Sequence, residues 1–123
     1  MIVIDYQDRR PLYEQITDKF KNLILQGALE PESRMPSVRQ LAVELSINPN
    51  TIQRAYAQLE QMGLIYPVKG RGNFVCPNEK LIRRKMAQYR QELKEEMIRG
   101  AQRGISQDEM NAMIREVFED RRR

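Results

Sequence analysis

The dipeptide Asn48-Pro49 constrains this chain more than any other feature. An asparagine side chain accepts hydrogen bonds from the free N–H groups at a helix start. Proline at the first helical position lacks an N–H that would have no partner there anyway. A helix therefore begins at this point, and none can run through it. Upstream, Ser37 and Gln40 have capping-box spacing, and Val38, Leu41, Ala42 and Leu45 follow at i, i+3, i+4 and i+7. Downstream, Ile52, Ala55, Tyr56, Leu59 and Met62 share one helical face, and Gly63 supplies the stop. Two short helices, about 37–46 and 49–62, must meet at a tight turn, with apolar Ile47 plugging the corner.

The flanks extend this unit. Pro11 marks the start of an earlier helix whose stripe is Leu12, Ile16, Phe20, Leu23 and Ile24, closed by Gly27. Residues 29–36, with two prolines, read as a loop, and Ile2-Val3-Ile4-Asp5 as a short strand or extended arm. After Gly63, two short apolar runs, 64–68 and 73–76, flank Lys69-Gly70-Arg71-Gly72 and predict a hairpin. The expected fold is mostly α with a small β wing: a winged helix-turn-helix over 1–76, then two C-terminal dimerisation helices over 77–123.

Those last helices carry their own stripes. Ile82, Met86, Tyr89, Leu93, Met97 and Gly100 recur at helical spacing, and Ser106 with Glu109 forms a second capping box. Met110, Met113, Ile114, Val117 and Phe118 follow. Two helices alone cannot enclose a ligand pocket of several hundred cubic ångströms. Their apolar faces read better as a homodimer seam in which two helices from each subunit pack. An adaptable site lined by the methionines is the alternative.

Composition removes whole classes of function. The chain has no histidine and one cysteine, Cys76, which excludes most metal sites, histidine-based nucleophile arrangements and internal disulfides. No catalytic residue, metal ligand or cofactor is expected, and an enzyme is the weakest reading. No run approaches the roughly 18 apolar residues a membrane span needs. The apolar part of MIVIDYQDRRP is too short for an export signal, so the expected location is cytoplasmic and no membrane partner is expected. Between Arg34 and Arg71, five basic residues (Arg34, Arg39, Arg54, Lys69, Arg71) face two acidic ones (Glu44, Glu60). A basic surface of that kind suits phosphate, although a solvated face gives the same count.

The outer face of the third helix, with Asn50, Gln53, Arg54, Ala57, Gln58 and Gln61, suits base edges in a major groove. The glycine-rich hairpin tip lets backbone and two cations approach a phosphate strand. A winged fold used for protein contacts is the competing reading. The polar third helix and the cationic tip count against it.

The ordered segments PLYEQI (11–16), MPSVRQLA (35–42), INPNTIQRAY (47–56), LEQMG (59–63) and KGRGNFV (69–75) strongly resemble the GntR family of bacterial transcription regulators. NPNT with AY and the short C-terminal part resemble its YtrA-type subfamily. The resemblance implies a DNA-binding repressor that acts on double-stranded DNA as a homodimer, typically at a transporter operon. It implies DNA contacts at Arg39, Asn48, Asn50, Thr51, Gln53, Arg54, Lys69, Gly70 and Arg71. The family often has Pro-Gly before the MP pair. Here it is Pro31-Glu32, and a different turn is expected. Nothing in the sequence identifies a small-molecule effector.

Overall fold

The computed structural model describes residues 2–121. Within them the order is α1 (Leu12–Leu25), α2 (Val38–Leu45), α3 (Pro49–Gln61), β1 (Ile65–Val68), β2 (Gly72–Val75), α4 (Glu79–Gln102) and α5 (Gln107–Arg121). Packing divides the chain into two units, one reaching to Lys85 and one beginning at Met86.

Local chemistry sets the helix ends of the first unit. The Ser37 hydroxyl accepts the Gln40 N–H at 3.0 Å, and Asn48 Oδ1 accepts the Asn50 N–H at 2.9 Å. Each bond satisfies a donor that the first helical turn leaves open. Helix α2 stops because Ser46 turns left-handed (φ 54°, ψ 44°), which lets the Ile47 N–H reach the Ala42 carbonyl at 3.0 Å. Ile47 is thereby delivered into the core.

That core has three helical contributions. Ile16, Phe20 and Ile24 come from α1, Leu41 and Ala42 from α2, and Ile52, Ala55, Tyr56 and Leu59 from α3. Phe20 meets Tyr56 edge-on, with ring centres 5.7 Å apart. Burying a side chain such as Phe20 or Ile52 contributes about 1.5–3 kcal/mol. Buried Gln15 is satisfied by the chain before α1. Its Oε1 accepts the Asp5 N–H, and its Nε2 donates to the Arg10 carbonyl, both at 3.3 Å. The N-terminal segment is an extended arm rather than a strand, with Ile2 and Ile4 against the core and Val3 exposed.

Strands β1 and β2 pair antiparallel with Ile65 opposite Val75 and Val68 opposite Gly72. Tyr66 stacks on Phe74 across the pair. The loop before α2 holds a feature absent from the expectation. The Met35 N–H donates to the Asn73 carbonyl, and the Val75 N–H to the Ser33 carbonyl, both at 2.8 Å. Strand β2 thus has neighbours on both sides, and Pro67, which has no N–H to give, sits on the outer strand. The turn that brings this loop in places Glu32 at φ 67°, backbone that glycine adopts most easily.

The first unit continues into α4. Asn78 Oδ1 accepts the Leu81 N–H at 3.1 Å and starts the helix, and Ile82 packs against the core. In the second unit, Gly104 (φ 100°) turns the chain, and Ser106 Oγ caps α5 by accepting the Glu109 N–H at 3.1 Å. Gly100 lies where a Cβ would come within 3.2 Å of the Met110 side chain and 3.4 Å of Ile105, so a small residue lets this corner close. Among the described residues, no helix is long and apolar enough to cross a membrane.

Candidate nucleic-acid interface

Helix α3 is buried on one side and polar on the other. With Ile52, Ala55, Tyr56 and Leu59 held in the core, the helical period turns Asn50, Gln53, Arg54, Ala57 and Gln61 to solvent, while Thr51 and Gln58 are half-exposed at the margins. Asn48 stands at the entrance of this face. Its Oδ1 is engaged in the cap, which leaves its amide NH₂ to donate outward. Arg39, two turns before the end of α2, is also exposed.

The tip of the wing carries Lys69, Gly70 and Arg71, all exposed, on a loop closed by the Arg71 N–H donating to the Val68 carbonyl at 2.9 Å. Gly70 has φ 79° and open space where a Cβ would stand, so a glycine suits the turn and keeps the backbone bare. Among the described residues, no carboxylate pairs with Arg39, Arg54, Lys69 or Arg71. Their charge is therefore unspent and available to phosphates. Arg10 behaves differently. Asp8 and Asp18 both bind it, and the hydrogen bond from Arg10 holds the Asp8 carboxyl below the usual carboxylate range.

Every expected contact residue of α2, α3 and the wing thus lies exposed or half-exposed within the first unit. The residues expected to line a dimer seam divide into three groups. Tyr89, Leu93, Met97, Met113, Ile114, Val117 and Phe118 are exposed. Met110 is half-buried and packs at Gly100 within its own chain, and Met86 is half-buried. Ile82 is half-buried and packs against the core of the first unit.

Two further residues at this interface were not among the expected DNA contacts, although Arg34 counted toward the basic surface. Arg34 runs along the wing, its Nε 3.5 Å from where a Cβ of Gly72 would stand. Tyr13 on α1 lies under Arg54, whose guanidinium carbon is 3.8 Å from the ring centre. Neither has a signal in spacing, because the partners are 38 and 41 positions away in the chain.

A short helix, a tight turn, a polar-faced helix anchored in a core and a cation-tipped hairpin define the winged helix-turn-helix class of DNA-binding proteins. Within that class the chain belongs to the GntR family: residues 12–75 match the description "Bacterial regulatory proteins, gntR family". It is 37% identical over 122 residues to the HTH-type transcriptional repressor YtrA of Bacillus subtilis, covering 98% of this chain and 94% of that one. A GntR family transcriptional regulator from Listeria monocytogenes superposes with a TM-score of 0.74 at 33% identity, covering 92% of this chain and 98% of the other. The DNA-binding domain of AraR in complex with operator ORE1 gives 0.53 at 28% identity, over 60% and 90%. The family and these relatives are transcription regulators rather than enzymes, and the chain is a DNA-binding regulator of their kind.

Proposed function

We propose that the chain is a repressor that binds an inverted-repeat operator as a homodimer. Arg39, Asn48, Asn50, Thr51, Gln53 and Arg54 meet the major groove, and Lys69, Gly70 and Arg71 meet the neighbouring backbone. The observation that carries the homodimer is the apolar side of the second unit. Leu93, Met113, Val117 and Phe118 are each at least half exposed, and no residue of α4 is buried. Large apolar side chains left exposed at helical spacing on successive helices suit an interaction surface, and a two-fold axis would set such faces against themselves. The YtrA-type likeness favours a transporter operon as the target.

Selection of duplexes from a random library by the full chain tests this reading. The expected product is an inverted repeat whose half-sites lie about 34–36 Å apart or a multiple of that, bound by two chains and weakened steeply by salt. Arg39→Ala and Arg54→Ala should each cost about 1–3 kcal/mol of binding if they contact guanine, with thermal unfolding little changed. Enriched sequences without a repeat, bound by one chain each, would overturn the homodimer.

A further inference from the structure

We infer that Tyr13 is a positioning residue for DNA recognition: its ring is the platform that holds the Arg54 guanidinium in a reading orientation. This rests on the proposal that Arg54 contacts a base.

The side chain of an exposed arginine on a helix samples many rotamers, and fixing it on DNA costs conformational entropy. Arg54 is exposed, yet its guanidinium carbon lies 3.8 Å from the centre of the Tyr13 ring, within cation–π range. A guanidinium on an aromatic face remains charged and keeps its donors directed outward at the rim of the group, so the stack need not consume the hydrogen bonds that a base would accept.

The platform itself is fixed from below. Thr17, one turn on from Tyr13 and buried, donates its hydroxyl to the Tyr13 carbonyl at 2.7 Å. The same oxygen lies 3.5 Å from the carbonyl of Ala55, the residue after Arg54. One buried hydroxyl therefore stands between the two backbone segments that carry the ring and the cation. The Tyr13 hydroxyl turns aside and donates to Glu14 Oε1 at 3.3 Å, so the ring face is what Arg54 meets. Among the described residues, Arg54 has no carboxylate partner, so the ring is the group that orders it.

The test uses the full chain and the duplex most enriched from a random library by the unmodified protein, with each single-base-pair variant of that duplex. Tyr13→Leu should weaken binding about three- to tenfold, and Tyr13→Phe, which keeps the ring, by less than about twofold. Tyr13→Leu should also lose discrimination at the base pair where Arg54→Ala loses it. In the Arg54→Ala background, Tyr13→Leu should cost nothing further. Thermal unfolding of each variant identifies any loss due to misfolding, and Tyr13→Met provides a second ring-free side chain if leucine fails to fold.

Equal losses from Tyr13→Leu with and without Arg54 would overturn the inference, as would tighter binding of Tyr13→Leu, which would mean the ring parks Arg54 away from DNA. A loss from Tyr13→Phe matching that from Tyr13→Leu would overturn it in favour of a direct hydroxyl contact. If Arg54→Ala itself binds normally, the contact assignment beneath the inference fails, and the inference with it. Normal binding of Tyr13→Leu beside weak binding of Arg54→Ala overturns the platform alone.

Discussion

Tyr56 joins two parts of the head through one side chain. Its ring packs on Phe20, and its hydroxyl donates to the Pro36 carbonyl at 2.7 Å, so α3 is tied to the segment entering α2. Burial, aided by the negative charge of Glu44, pushes its phenol well above the ordinary value near 10. The folded state therefore keeps a proton that the unfolded chain releases. The contribution is complete below about pH 10 and is lost as pH rises toward the folded value. Tyr56→Phe should cost about 1 kcal/mol near pH 8 through the lost hydrogen bond. Compared at pH 8 and 10.5 by urea unfolding, wild type should lose more stability than the variant, because phenylalanine has nothing to ionise. A constant gap between the two would show that the phenol does not titrate differently on folding.

At the scale of elements, the three caps at Ser37, Asn48 and Ser106 were legible because capping is local: donor and acceptor stand two or three residues apart. The stripes of α1 and α3 were legible for the same reason, and so were the hairpin and the exposed polar face. The pairing of Ser33 and Met35 with β2 was not. Its partners lie some 40 positions downstream, and prolines at 31 and 36 leave too short a segment to show alternation. The Pro31-Glu32 turn was expected to differ where glycine is usual. Glu32 nevertheless takes the left-handed backbone that glycine favours. The second unit was legible as two helices, but a stripe does not announce whether its partner is the same chain, as for Ile82 and Met110, or another. For the wing, Gly70→Val should weaken binding to the selected duplex by about tenfold or more with a smaller effect on unfolding, since φ 79° disfavours a β-branched residue and the new side chain would stand between backbone and DNA. An unaltered gel shift would remove the tip from the contact surface.

For the whole molecule, the proposed homodimer makes affinity depend on joining two heads. One winged domain holds few phosphates, and a second head tethered nearby can raise affinity about 10²–10⁴-fold through effective concentration. Leu93 is half exposed in the single chain, so Leu93→Asp should leave each chain folded while placing a charge in the proposed seam. Sedimentation should then report monomers, and affinity for the inverted repeat should fall by that factor. A variant that stays dimeric would move the interface elsewhere. The wing is built for a different kind of change. Main-chain bonds from Glu32, Ser33 and Met35 fasten β2 to the segment entering α2, and β1 fastens its other side, but Lys69–Arg71 projects beyond this ladder. Those three residues form an interchangeable cassette on a welded frame. Grafting another tip would retune the proposed backbone contacts and leave the hydrophobic interior untouched, whereas an insertion between positions 32 and 35 would slip the frame itself.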